Sequence, residues 1–237
     1  SESAAKLFLI VCMAFILAVV VECHIPVYPP FRQTVFEGLL TNNALKRMIS
    51  GVSMGLTAAY LFYIVVDYLP RARREKVVDL LLSRVLASII DSYTRCRLFG
   101  HATALNGVNI DCVKLESLEG ILQKLKSYKA PALGAKKQQI EFHKLKYAVE
   151  TAHARVDDFN HSLQLAASLS PQHALQWLII CDKVRYMARL YDEWPDIAEN
   201  QYQYLGSSSQ YNLLASHEES MRSGFMELIE QAIAWRR

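Results

Sequence analysis

The sequence predicts an all-α chain, with a two-helix transmembrane hairpin followed by a cytoplasmic antiparallel helical bundle. Three observations carry this. Two runs without a charged side chain, Leu7 to Val21 and Met48 to Val66, lie near the amino terminus. Arginines at 71, 73 and 74 close the second run. Beyond them the apolar residues recur in alternating three- and four-residue steps, and no stretch alternates as a strand does. The chain has 237 residues, 52% hydrophobic and 21% charged. That is enough for a hairpin, residues 1–70, and one domain with a real core, residues 71–237.

The first run is short for a crossing, and a secretory signal peptide has a similar apolar core. The residues after it, Val21-Glu22-Cys23-His24, offer no small-x-small cleavage site. The reading is therefore a retained span over about residues 5–25, with Lys6 snorkelling to the interface. Pro26, Pro29 and Pro30 make the following connection extended, because proline fixes the backbone and removes donors. Thr34 to Leu45 reads as a short interfacial helix with Val35, Phe36, Leu39 and Leu40 facing lipid.

The second span, about residues 48–67, carries Gly51, Gly55 and Ala59 at four-residue spacing, and Ala14 and Ala18 repeat that spacing in the first. Small residues on one face let helices approach closely in lipid. These faces are expected to pack against each other or against another copy. Tyr60, Tyr63 and Tyr68 suit an aromatic interface belt. Asp67-Tyr68-Leu69-Pro70 reads as a stop, with Asp67 and Arg71 paired at the interface. Arg71, Arg73 and Arg74 then anchor the exit on the positive, cytoplasmic side. Both termini are expected in the cytoplasm and the Pro-rich loop outside. Neither run holds a charged residue of the kind a pump or proton relay needs.

The body reads as five helices. The first, Arg71 to about Phe99, has a face of Val78, Leu82, Val85, Ile89 and Cys96, widened by Leu81, Leu86 and Ile90, and Gly100 as its stop. A loop with a turn at Asn106-Gly107 follows. Leu115, Leu118, Leu122 and Leu125 mark a short helix, broken around Pro131. The third helix holds a seam from Phe142 through Leu145, Val149, Ala152, Val156, Phe159 and Leu163 to Ala166. Ser170-Pro171 reads as an N-cap with proline in the first turn. The fourth helix uses Ala174, Trp177, Cys181, Val184, Ala188 and Tyr191, ending at Trp194-Pro195. After a loop from Tyr202 to Gln210, the last carries Tyr211, Leu214, Met221, Phe225, Leu228, Ala232 and Trp235, with Glu218 in the missing seam position. Short links and breaks favour a bundle folded on itself over an intermolecular coiled coil.

Chemistry is sparse. The five cysteines, Cys12, Cys23, Cys96, Cys112 and Cys181, are odd in number and widely spaced, so they form no disulfide framework or zinc site. Glu150-x-x-His153 and Asp158-x-x-His161 have the spacing used in di-metal bundles, but both lie on one helix, with the histidines about 80° apart around it. Glu141 and His143 point to different faces. His217-Glu218-Glu219 lacks the second histidine of a metalloprotease. No phosphate loop or paired nucleophile is present. The expectation is no enzyme, no catalytic residue, no metal and no cofactor.

The net charge is +3, and residues 1–70 hold equal numbers of acidic and basic side chains, so the excess lies in the body. Lys124, Lys126, Lys129, Lys136, Lys137, Lys144 and Lys146 stand against one acid, Glu141. This is either a solvated basic turn or a patch for nucleic-acid phosphates, anionic headgroups or a protein partner. Asp182, Arg185, Arg189, Asp192 and Glu193 are ordinary surface support or a docking rim.

The short amino-terminal hairpin, the Tyr68-Leu69-Pro70-Arg71-Ala72-Arg73-Arg74 exit and the helical body resemble bacterial inner-membrane effectors of phage defence. The chain is most similar to the two-transmembrane effectors associated with retrons. That resemblance implies a toxin held by a reverse transcriptase and its RNA–DNA product, which on release damages the inner membrane. It implies no catalytic residues. From a different class, a membrane-anchored structural or sensor subunit would recruit a cytoplasmic partner through the bundle.

Overall fold

The computed structural model describes residues 9–13, 15, 16, 19, 43–100, 103–128, 136–193 and 208–237, with the side chains at 43–46, 49, 136–139 and 208–214 excepted. The Pro-rich connection, Ala14, Ala18, Lys129, Pro131 and Trp194-Pro195 lie outside these residues. The described chain is all-helical, with no strand among its described residues. It divides into two compact units, Ser1–Arg74 and Glu75–Arg237.

In the first unit, residues 9–13, 15, 16 and 19 are helical. Helix α1 (Asn43–Tyr63) contains most of the second uncharged run. It does not stop at Asp67–Pro70 as the sequence suggested. A π-helical segment, Ile64–Tyr68, follows, and then α2 (Leu69–Arg95). The cause is Pro70. Its ring has no N–H for an i→i−4 bond and would crowd the carbonyl four residues back. The wider π turn relieves that crowding, and the Leu69 N–H reaches five residues back to the Ile64 carbonyl. The proline therefore changes the helix locally without ending it.

In the second unit, α2 buries Val78, Leu82, Val85, Leu86, Ile89 and Ile90. Leu81, expected on that face, is 41% exposed. The helix ends at Arg95, short of the Gly100 stop. Cys96 takes a left-handed conformation (φ 49°), and the Arg97 N–H closes on the Ser92 carbonyl at 3.1 Å. That is a Schellman closure built on a residue with a Cβ. Cys96 thereby leaves the seam and lies half-buried beyond the helix end.

Short 3-10 turns at Leu105–Gly107 and Ile110–Val113 lead into α3 (Leu115–Ser127). Helices α4 (Lys136–Leu169) and α5 (Pro171–Asp192) meet at Ser170. The Ser170 hydroxyl accepts from the His173 N–H at 3.1 Å with Pro171 in the first turn, as the sequence indicated. Helix α6 spans Ser208–Arg236, three residues earlier than the seam implied.

Cross-contacts give the directions. On α4 and α5, Phe159 stacks on Trp177 (5.6 Å between centroids), and His153 lies 3.1 Å from Asp192. One position advances as its partner recedes, so the two run antiparallel. Trp177–Trp235 and Lys183–Glu227 set α5 antiparallel to α6. Glu119–Arg237 and Lys126–Glu230 do the same for α3 and α6. Helix α6 thus packs on α3, α4 and α5, and its Phe225 lies 4.6 Å from the α2 ring of Tyr93. Met221, Phe225, Leu228, Ile229 and Ala232 are buried there, each large side chain contributing about 1.5–3 kcal/mol.

Candidate functional site

The apolar segment and its exit form the first candidate. The helical run Ser50–Arg95 contains an apolar stretch long enough to cross a membrane. The large apolar side chains of α1 face outward: Met48, Val52, Met54, Leu56, Leu61 and Phe62 are each 48% to 68% exposed. So much exposed apolar surface on one helix suits lipid rather than water. Gly51, Gly55 and Ala59 share one face and are all exposed. Nothing lies within 4 Å of a Cβ built on Gly51 or Gly55. The screened residues are instead Ser50, Ser53, Thr57, Tyr60 and Ile64. Among the described residues the small-residue face is thus open. Arg71, Arg73 and Arg74 are exposed at the start of α2.

The lysine turn is the second candidate. Lys126 pairs with Glu230 at 2.8 Å, and Lys144 pairs with Glu141 at 2.7 Å. Lys124 is exposed and Lys146 half-buried. Lys136 and Lys137 open α4, with side chains outside the described set, as Lys129 is altogether. The sequence counted one acid in this stretch. Glu230, far away in sequence, is a second acid that the fold brings in. The Lys126 pair is about half exposed, so a phosphate can replace the carboxylate at small cost. Lys144 is different. Its ammonium also sits 5.7 Å from the centre of the Tyr93 ring, and the Tyr93 hydroxyl donates to Glu141 at 2.9 Å. Burial, with the carboxylate beside it, raises the pKa of Tyr93. Lys144 thus belongs to a structural knot between α2 and α4.

The carboxylate–histidine motifs part company. His153 turns to Asp192 on α5 and lies 4.5 Å from the Tyr191 ring, and Asp158 receives Arg155 at 2.8 Å. Among the described residues, no three His, Cys, Asp or Glu side chains gather as metal ligands would. Burial pushes the Cys112 thiol up to about 12 and the Cys181 thiol up to about 11, so both stay protonated at neutral pH.

Two buried charged side chains went unnoticed in the sequence. Asp91 is fully buried and accepts from Arg95 Nε (2.8 Å), Arg95 Nη2 and the Asn109 N–H (2.9 Å). Arg155 is 3% exposed and donates from Nε to the Phe99 carbonyl and from Nη2 to those of Gly100 (2.9 Å) and Thr103 (2.7 Å). Together they hold the loop after α2. The i,i+4 spacing of Asp91 and Arg95 was the one available signal. No protein family, curated protein or solved structure matches the chain.

Proposed function

We propose that this chain is a membrane-anchored toxic effector of a bacterial, retron-like antiphage system. A reverse transcriptase and its RNA–DNA product hold it inactive, and release lets it disrupt the inner membrane. The observation that carries the reading is α1. From Met48 it carries no charged side chain, its large apolar side chains are exposed, and Arg71, Arg73 and Arg74 follow. The open Gly51–Gly55–Ala59 face gives a second copy a place to pack closely, and assembly of spans is a route to a membrane defect. In this reading residues 1–70 form a hairpin with both termini cytoplasmic, and residues 71–237 form the cytoplasmic bundle. The lysine turn meets the nucleic acid of the restraining complex.

The test is expression of the full chain in bacteria without any partner, with growth and membrane potential followed. Depolarisation is expected, with Gly55→Leu weakening it at equal abundance. Normal growth and potential with the chain in the membrane would overturn the proposal. For the lysine turn, Lys136→Glu with Lys137→Glu is expected to weaken complex formation and flatten its salt dependence. An unchanged salt slope removes nucleic acid from the scheme.

A second reading has its own observation. Leu175, Leu178, Ile179 and Tyr186 expose 37% to 60% of their surface on α5, beside Asp182, Arg185 and Arg189. That suits a structural or sensor subunit whose body recruits a cytoplasmic protein. Such a subunit leaves the membrane potential intact.

A further inference from the structure

Helix α1 has two opposite stripes, and only one is covered. Ser50, Ser53, Thr57 and Tyr60, continued by Ile64 of the π-helical segment, recur in steps of three and four, and each is screened, Ser53 to 4% exposure. Gly51, Gly55 and Ala59 are centred about 180° away at 100° per residue, and all three are exposed. The covered stripe carries most of the helix's hydroxyl groups. A serine at 4% exposure has atoms of another segment over it, since its helical neighbours alone leave a side chain that small largely open. The compact unit that contains α1, Ser1–Arg74, also contains the amino-terminal apolar stretch. In the amino-terminal stretch, Leu9, Ile10, Met13, Phe15, Ile16 and Val19 are exposed, whereas Val11 and Cys12 are half-buried. Each of these two stretches thus has one screened side.

From this we infer that the hydroxyl stripe is the helix–helix interface inside the membrane, and that its occupant is the amino-terminal apolar segment of the same chain, through its Val11–Cys12 side. The inference rests on the membrane reading above. Hydroxyls are common at such interfaces because lipid offers them no partner. Thr57 Oγ1 already donates to the Ser53 carbonyl at 2.9 Å, so it enters the interface satisfied. Of the two partners the sequence left open for the small-residue face, this assignment takes the second copy. The hairpin closes on hydroxyls, and the glycine face is left for a second copy.

The native Cys12 makes this testable in the full chain. Cys23 and Cys96 are first changed to Ser. Single cysteines are then placed at Ser50, Ser53, Thr57 or Tyr60 and, in parallel, at Gly51, Gly55 or Ala59. Membranes are washed with carbonate and oxidised with copper phenanthroline, and disulfide-linked peptides are mapped from monomer and dimer bands. A disulfide forms only with the two Cβ atoms about 4 Å apart. A link to Cys12 in the monomer band is expected from at least one stripe position and from none on the glycine face. A monomer-band link from the glycine face overturns the inference. So do stripe links confined to the dimer band, or stripe thiols that stay unlinked, whether or not a water-soluble reagent labels them. Release of the chain by carbonate fails the membrane reading instead, and is seen before any link is scored.

Discussion

Arg155 holds three backbone carbonyls that have left any helix, those of Phe99, Gly100 and Thr103, and it does so from inside the fold. A buried guanidinium is costly by itself, and here its donors are matched by those carbonyls and Asp158. Arg155→Leu strips the carbonyls of their donor, with an expected loss of about 3 kcal/mol, read as a lower urea midpoint. Cys96 gives the opposite sign. A left-handed residue with a Cβ carries strain of about 1 kcal/mol, so Cys96→Gly should raise the midpoint by that order. The buried thiols set an alkaline limit. Cys112 and Cys181 titrate near 12 and 11 when folded, above the ordinary value of 9.0. Between about pH 9 and 12 the unfolded chain has lost these protons and the folded chain has kept them, so stability falls as pH rises through that window and is fully present below it. Unfolding midpoints of the wild type and of Cys112→Ala with Cys181→Ala should converge across that range. Parallel curves would remove the thiols from the account.

At the scale of elements, local chemistry was legible and accommodation was not. Ser170-Pro171 was readable because a cap and a first-turn proline act within a few residues. Pro70 was misread because its effect depends on whether the backbone can widen, and Ile64–Tyr68 does so. Pro70→Ala restores the missing donor, and an ordinary α-turn is expected there with a gain of about 1–3 kcal/mol. The check is the melting curve in detergent followed by circular dichroism at 222 nm; an unchanged or lower midpoint would count against the role given to the proline. Cys96 likewise escaped notice, since Gly100 looked like the natural stop and the fold used a non-glycine instead. Gly224 also showed no sign in the sequence, for its role comes from another helix. A Cβ there would come within 2.9 Å of Tyr186 Cε1. Gly224→Ala should displace that ring and cost about 1 kcal/mol or more.

For the whole molecule, the helical class and most seam positions followed from periodicity alone, because a buried face imposes the 3.6-residue repeat on sequence directly. Partners did not follow. Glu230 beside Lys126, Glu141 beside Tyr93 and the face of α1 that is covered all depend on which helix lies opposite. The small-residue pattern was visible, yet the residues screened within the chain are Ser53 and its companions. The proposed function requires above all that α1 lie in a bilayer. Cysteine-specific labelling settles that directly, using full-length chain in bacterial membranes with single cysteines at Leu56, in the middle of α1, and at Arg73, beyond the exit. The expected chain stays in the membrane after a carbonate wash, with the thiol at 56 shielded from a water-soluble maleimide and the thiol at 73 labelled from the cytoplasmic side. A chain released by carbonate, with both thiols labelled equally, would contradict it.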